Sequence, residues 1–325
     1  MDPKEKQQPV TYVSGLGYLP ATPKLTERRN LTLRYHLVIL STMLVLGLWL
    51  VLLPPFQALM VRLGLSAWEG ELAARIPTLL CCYLPAMLIL WLCGHRSKGV
   101  LGAKKAIGIR YGYALGLGLG ISAIARLLTT GGLWLMSVCT PFYYQHQIPP
   151  LPDSFSSLLL ELAALVLLPS VLEELFFRGL VMGRLKEYGE LVAVLVSSVL
   201  YAILSPALDQ LVFRLFLGLV LGLARLRSFS VLVPMVVSAG VNLAWLCLDW
   251  LSLPFYLAGV LLLLLAGMGA VALWSGKHLR AFQNRDRDTN LTNRAKINLL
   301  ITNFFFWILL IVGMISLVSK IQIIG

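Results

Sequence analysis

Residues 171–179 read VLEELFFRG and place two adjacent glutamates and an arginine inside apolar sequence. The stretch LVLLPS precedes them and LVMG follows, so the segment 154–180 is long and apolar enough to predict a transmembrane helix. Ionisable side chains inside such a helix are costly in lipid, and they usually face a bundle interior or a water-filled cavity. The segment therefore predicts a membrane-spanning helix that carries a buried polar site.

The rest of the chain has the composition of a polytopic membrane protein. Of its 325 residues, 58% are hydrophobic and 13% are charged, and its mean hydropathy is +0.82. A soluble domain of this length would be more polar. The apolar segments predict nine helices, at about 35–53, 77–93, 111–138, 154–180, 191–205, 210–224, 230–248, 252–274 and 297–318.

The polar segments define the predicted organisation. Residues 1–34 are expected to form a flexible cytoplasmic tail, and residues 35–274 a transmembrane domain. Residues 275–296 are expected to form a basic cytoplasmic loop, and residues 297–325 to carry a last transmembrane helix. The predicted fold class is an all-α polytopic integral membrane protein, with a core of about eight helices and one extra C-terminal transmembrane helix.

The net charge of +12 raises nucleic-acid binding as an alternative, but the distribution of the charge argues against it. With the N-terminus placed in the cytoplasm, 21 of the 27 lysines and arginines fall in inside segments and three in outside segments. This is the positive-inside pattern of membrane proteins. The basic loops then need no partner beyond anionic lipid headgroups, and no nucleic-acid partner is expected.

Glycines and cysteines carry two further patterns. A glycine recurs every fourth residue from Gly108 to Gly120, which predicts a smooth helix ridge for internal packing or for dimerisation, and Gly218 and Gly222 repeat the spacing. The five cysteines lie in or beside predicted helices without CxxC pairing, and Cys81 and Cys82 are expected to be small core residues. Neither a zinc site, a disulfide framework nor a cofactor is expected.

The spacing of the polar residues in VLEELFFRG predicts that the two carboxylates have different surroundings. Glu174 and Arg178 are four residues apart, so they share a helix face and can pair. Glu173 is rotated by about 100° and is expected to be the freer of the two. A free carboxylate in such a site can act as a general base toward water. The alternative is an ion pair that only locks helices together.

The segments around this site resemble the CPBP family, the CAAX-protease and bacteriocin-processing intramembrane endopeptidases that are also called Abi proteins. The resemblance covers roughly 154–250. Its features follow in order: EExxxR at Glu173, Glu174 and Arg178, then Gly179; an SSxxxA-type helix; the glycine pair Gly218 and Gly222; a basic turn with Ser230 and Pro234; and Asn242. The resemblance implies a CPBP-like transmembrane domain over 35–274, with its motif region at 154–250.

The resemblance also implies roles for these residues. Glu173 corresponds to the water-activating base, and Asn242 acts with two motif histidines that orient the water and stabilise the oxyanion. Both histidines are replaced here, because the second motif aligns as Tyr201-Ala-Ile-Leu-Ser205 and the third as Ser238-Ala-Gly-Val-Asn242. The chain's own histidines, His36, His95, His146 and His278, are predicted at span ends or in loops, so none is an obvious substitute.

A polar chamber remains after these replacements. We expect Glu173, Glu174, Arg178 and Asn242 at the catalytic positions, with Tyr201, Ser205 and Ser238 lining the chamber. A serine nucleophile lacks a base other than Glu173, and the residues form a weak metal set, so no metal is expected. The alternative is a polar network that only fixes helix packing. Arg126 and Arg214, also in predicted spans, are interpreted as structural.

Three hypotheses on function follow. The favoured one is a CPBP-family pseudoprotease that binds a membrane peptide, a lipidated or prenylated tail, or a membrane-protein partner in the former active-site chamber. The second is an active glutamate-dependent, CAAX-type intramembrane endopeptidase with a remodelled site. The third is a non-enzymatic transporter or lipid-handling protein on the same scaffold. A bacterial plasma membrane is expected, and the oligomeric state is left open.

Overall fold

The computed structural model describes residues 10–13, 17–20, 23–93, 108–140, 142–143, 149–205, 207–251, 253–274, 291–318 and 322–323. The helices in these ranges are α1 (Pro23–Arg62), α2 (Ala67–Leu92), α3 (Gly108–Cys139), α4 (Phe155–Tyr188), α5 (Glu190–Ile203), α6 (Leu208–Ser228), α7 (Leu232–Asp249), α8 (Leu253–Trp274), α9 (Asn293–Ile301) and α10 (Phe304–Val318). Short antiparallel strand pairs join β1 (Val10–Val13) to β2 (Gly17–Pro20) and β3 (Phe142–Tyr143) to β4 (Gln322–Ile323). The predicted all-α class is confirmed.

The lengths of the helices support a membrane-embedded protein. Within the described residues, α1, α2, α3, α4 and α7 are each long and apolar enough to cross a bilayer, and the bent pair of α9 and α10 makes a possible sixth span. The helix α5 is shorter, with 14 residues, as its short apolar run predicted. Each of the nine predicted helices overlaps a helix of the structure.

The N-terminal boundary was predicted wrongly. Helix α1 begins at Pro23, so residues 23–34 are helical rather than part of a flexible tail. Hydropathy marks only the lipid-embedded part of a helix, and this first part is rich in charged residues. It is nevertheless held by tertiary packing, because Leu31 is fully buried and Arg34 forms an ion pair with Glu187 at 2.7 Å.

The C-terminal helix was also predicted wrongly, as one continuous span. It is broken between α9 and α10, whose axes differ by 63°. The break lies at Thr302 and Asn303, where the Asn303 side chain accepts a hydrogen bond from the backbone N–H of Phe305 at 3.0 Å. Asparagine competes in this way for backbone groups that would otherwise continue a helix. Helix α9 begins within the predicted loop 275–296, of which residues 275–290 lie outside the described part of the chain.

Helix α4 carries the predicted site and is not a regular α-helix. Two stretches of it, Leu162–Leu167 and Leu175–Val181, are π-helical. Pro169 follows the first stretch. Proline lacks a backbone N–H, and its ring would crowd the carbonyl four residues earlier in a regular α-helix. The wider π-helical turn accommodates both effects. The second stretch begins directly after Glu174. π-helical turns are rare and are frequently found at functional sites.

The remaining helices place two apolar clusters on either side of α4. One cluster is built mainly from α1, α2, α4 and α5, and the other from α3, α6 and α7. Side chains of α4 reach α6 through Arg178 and α7 through Ser170. The polar site on α4 therefore lies where the two clusters meet.

Two glycines of the predicted α3 ridge, Gly116 and Gly120, pack internally against α8, while nothing in the described part of the chain lies within 4 Å of a methyl group added to Gly112. A methyl group added to Gly120 would meet the backbone of Gly267 on α8, and one added to Gly116 would lie 3.0 Å from the Ala270 side chain. The glycines of α6 pack in the same way against α5, where Gly218 meets Ser198. Small residues allow helix backbones to approach closely without a hydrophobic driving force between helices.

Candidate functional site

Glu174 and Arg178 form the pair that their spacing predicted. Arg178 Nε lies 3.2 Å from Glu174 Oε2, and both side chains are fully buried. The guanidinium also donates a hydrogen bond from Nη2 to the backbone carbonyl of Gly218 on α6 at 3.0 Å. The arginine therefore neutralises one carboxylate and joins two helices.

The expectation that Glu173 is the freer carboxylate was wrong. Its Oε1 lies 3.0 Å from Nη1 of Arg214, which projects from α6. The two side chains retain only 5% and 11% of their exposure, so the pair is almost as buried as the first. Rotation about the helix axis does give the two glutamates different surroundings. Glu174 meets Arg178 on its own helix, whereas Glu173 meets Arg214 because α6 lies beside α4.

Tyr201 links the two ion pairs. The guanidinium carbons of Arg178 and Arg214 lie 4.6 Å and 4.9 Å from the centroid of its ring. Cations over an aromatic face are attracted by the ring quadrupole, most strongly where water is excluded. The ring also packs edge-on against Phe177, with centroids 5.3 Å apart. Tyr201 therefore holds both guanidiniums in place from α5.

Asn242 joins α7 to the site. Its side-chain nitrogen donates a hydrogen bond to the hydroxyl of Ser170 at 3.2 Å. Ser170 lies one turn before Glu174 on α4. Ser238 lies one turn before Asn242 on α7 and is fully buried.

Several polar atoms of this chamber have no hydrogen-bond partner among the described residues. They are the hydroxyls of Ser205 and Ser238, both carboxylate oxygens of Glu174, Nε and Nη1 of Arg178 and Nη1 of Arg214. Some of these atoms belong to the two ion pairs, which bring opposite charges together without aligned hydrogen bonds. Most buried polar groups in folded proteins are paired, so each exception calls for an explanation, such as a ligand or water. The set offers both hydrogen-bond donors and acceptors.

Two residues that sequence reasoning did not assign to the site contribute to it. Arg214 was interpreted as structural, although an ionisable residue in a predicted span is itself a signal for a functional site. Tyr83 of α2 lies within electrostatic range of Glu173 and Arg214 and packs edge-on against Phe176. No sequence signal distinguishes this tyrosine from other aromatic residues of the spans.

Arg126, the other arginine interpreted as structural, has an acidic partner on another helix. Arg126 pairs with Asp249 through two contacts of 2.9 Å and 3.2 Å and lies over the ring of Trp245. Trp245 in turn donates a hydrogen bond to Ser122 at 2.9 Å. This arrangement ties α3 to α7.

Histidines and metal ligands do not complete the site within the described residues. His36 packs against Phe305, with ring centroids 5.6 Å apart, while His95, His146 and His278 lie outside the described part of the chain. Among the described residues, histidine, cysteine, aspartate and glutamate form no group of three or more that could hold a metal ion. The alignment of Ser205 and Ser238 with the motif histidines stays a prediction, as do the catalytic roles.

One comparison with known proteins gives a match, and it covers nearly the same residues as the predicted motif region, 154–250. The family model described as type II CAAX prenyl endopeptidase Rce1-like matches residues 155–244. This range runs from Phe155, the first residue of α4, to Ala244 within α7. All site residues on α4, α5, α6 and α7 lie within it. The comparisons with curated proteins and with solved structures gave no match. Over residues 155–244 the chain is therefore similar to the type II CAAX prenyl endopeptidases, in agreement with the resemblance to the CPBP family that its motifs indicated.

Proposed function

We propose that this integral membrane protein is a CPBP-type protease homologue that binds a ligand in the chamber of α4 to α7 without hydrolysing it. The ligand is a membrane peptide, a prenylated or otherwise lipidated tail, or a segment of a membrane-protein partner. The observation that carries the proposal is that the hydroxyls of Ser205 and Ser238 are buried and have no hydrogen-bond partner among the described residues.

These serines support binding better than they support hydrolysis. A serine hydroxyl is shorter than an imidazole and carries no charge, so it cannot orient water and stabilise an oxyanion as the family's histidines are expected to. Loss of one oxyanion-hole donor typically lowers the rate by a factor of about 10²–10³. With both histidines replaced, little hydrolysis is expected.

The same chamber suits a peptide backbone. The hydroxyls of Ser205 and Ser238 and Nη1 of Arg178 have no partner among the described residues and can donate to peptide carbonyls, while Oε1 of Glu174 can accept from a peptide N–H group. A segment of membrane peptide that unwinds in lipid needs such partners, because water is not available there. The apolar surroundings of α4 to α7 then suit a lipidated or hydrophobic ligand.

The orientation in the membrane is part of the proposal. The predicted excess of lysine and arginine on one side favours a cytoplasmic N-terminus. The compact polytopic form and the resemblance to the CPBP family favour a bacterial plasma membrane.

The test combines binding and cleavage on the full-length protein in lipid nanodiscs. Fluorescent prenylated peptides and leader-type peptides are titrated against the wild type, Glu173→Gln and Ser238→Leu, and the same samples are analysed for cleavage by mass spectrometry. We expect the wild type to bind at least one peptide and to leave it intact. Ser238→Leu fills the chamber and is expected to weaken binding by roughly tenfold or more, since it removes a polar partner and adds bulk.

Val236→Leu is the matched control, because Val236 is on the same helix and 51% exposed. Its affinity should equal that of the wild type. Cleavage by the wild type that Glu173→Gln abolishes would contradict the proposal and favour an active glutamate-dependent endopeptidase. Absence of binding by every peptide class would contradict it as well.

A further inference from the structure

Glu173 and Arg214 form an ion pair that connects two helices at the site. Arg214 reaches from α6 to a carboxylate on α4, and its Nη1 lies 3.0 Å from Glu173 Oε1. The contact lies in the chamber rather than at a lipid-facing helix junction, since both side chains are nearly buried. Arg214 is also outside the EExxxR stretch.

The other groups near Glu173 cannot replace this partner. Arg178 is engaged with Glu174 and with the carbonyl of Gly218. Glu174 is also an acidic residue, and Tyr83 and Tyr201 carry no positive charge, so none of the three can serve as a counterion. Removing Arg214 would therefore leave Glu173 as a buried carboxylate without its counterion, which is strongly unfavourable unless the group takes up a proton.

The position of Arg214 is itself supported. Its guanidinium carbon lies 4.9 Å from the centroid of the Tyr201 ring, so a neighbouring helix holds it against the carboxylate. A base toward water needs an oxygen that a water molecule can reach. Here one of the two oxygens of Glu173 is occupied by a guanidinium.

We propose that Arg214 is a positioning residue that binds one oxygen of the Glu173 carboxylate and thereby keeps this carboxylate from acting as a general base toward water. The site then contains two carboxyl groups, each in contact with a guanidinium of its own. This inference rests on the proposed function, since it describes how the same chamber avoids hydrolysis while it holds a ligand. On this basis the double variant Ser205→His/Ser238→His would keep a carboxylate bound by Arg214 until Arg214 is also replaced.

The test uses a hydrophobic carbodiimide, dicyclohexylcarbodiimide, which modifies protonated carboxyl groups in apolar surroundings. The full-length protein in nanodiscs is labelled at neutral pH, and tandem mass spectrometry gives the labelled fraction of Glu173 and Glu174 separately. In the wild type we expect low labelling of Glu173. In Arg214→Leu we expect that fraction to rise roughly tenfold or more, because a buried carboxylate without a counterion is held protonated.

Three variants make the result specific. Arg214→Lys keeps a cation near Glu173 and is expected to restore low labelling. Arg178→Leu should raise the labelling of Glu174 more than that of Glu173. Arg126→Leu removes an equally internal arginine that pairs with Asp249, and it should leave the labelling of Glu173 unchanged.

Unchanged labelling of Glu173 in Arg214→Leu would overturn the inference, and so would equal labelling in Arg214→Leu and Arg214→Lys. If Arg214→Leu does not elute as a single species in size-exclusion chromatography, Arg214→Gln takes its place with the same expected rise. Failure of the proposed function would appear separately, as cleavage by the wild type or absence of peptide binding. The labelling pattern does not depend on either readout.

Discussion

Arg178 and Gly218 lie on different helices, and a hydrogen bond of 3.0 Å joins the guanidinium of the first to the backbone carbonyl of the second. Gly218 itself packs directly against Ser198 of α5, where an added methyl group would lie 3.1 Å from the Ser198 backbone. The arginine, its carboxylate partner and the glycine therefore hold α4, α5 and α6 together at the chamber.

Replacing Arg178 should destabilise the protein strongly. Arg178→Leu leaves Glu174 fully buried without its partner, and breaking one side of a buried pair typically costs about 3–5 kcal/mol. The free energy of unfolding, measured by SDS titration in mixed micelles, should fall by that amount. The double variant Glu174→Leu/Arg178→Leu should lose less than Arg178→Leu alone. A double variant that is less stable than the single one would contradict this interpretation of the pair.

The glycine ridge of α3 should tolerate substitution at one position and not at another. In Gly120→Ala the new methyl group meets the backbone of Gly267, and such overpacking typically costs about 1–3 kcal/mol. Gly112→Ala is the matched control on the same helix, because nothing lies within 4 Å of its added methyl group. It should be neutral or stabilising by about 0.5–1 kcal/mol. Equal stability of the two variants would refute the packing role of the ridge.

The ion pair of Arg126 and Asp249 should contribute to stability and not to ligand binding. Asp249→Asn removes the charge that faces the guanidinium, and the side chains are only 17% and 12% exposed. Loss of a buried partner of this kind is expected to cost about 3 kcal/mol. Thermal unfolding monitored by circular dichroism measures the loss, and peptide affinity in nanodiscs should not change. Glu71→Gln, in the more exposed pair with Arg75, should cost less than about 1 kcal/mol.

Ser238 should show opposite effects on stability and on binding. Its hydroxyl is fully buried and has no hydrogen-bond partner among the described residues, so Ser238→Ala removes an unsatisfied group and should stabilise the protein by about 1 kcal/mol. The same change should weaken peptide binding. Ser197→Ala is the control, because the Ser197 hydroxyl already donates to the carbonyl of Val194 at 3.1 Å. A Ser238→Ala variant with lower stability and unchanged affinity would show that the hydroxyl serves packing.

Patterns along one helix were predicted correctly from the sequence. The pairing of Glu174 with Arg178 depends only on the rise and rotation of a helix, which every helix shares. The glycine ridge of α3 followed from the same periodicity. Two helix boundaries were missed, the early start of α1 at Pro23 and the bend at Asn303. Hydropathy reports neither the tertiary packing of a charged helix end nor a side-chain hydrogen bond to the backbone.

The sequence by itself determined that the chain is an all-α polytopic membrane protein, that α4 carries a buried polar site, and that this site resembles the CPBP motifs. Composition and helical periodicity are sufficient for these conclusions because they are local. Only the tertiary structure decided that Glu173 meets Arg214 and that Tyr201 lies against two guanidiniums. Those contacts depend on how α4, α5 and α6 pack, and helix packing brings together residues whose separation along the chain carries no periodic signal.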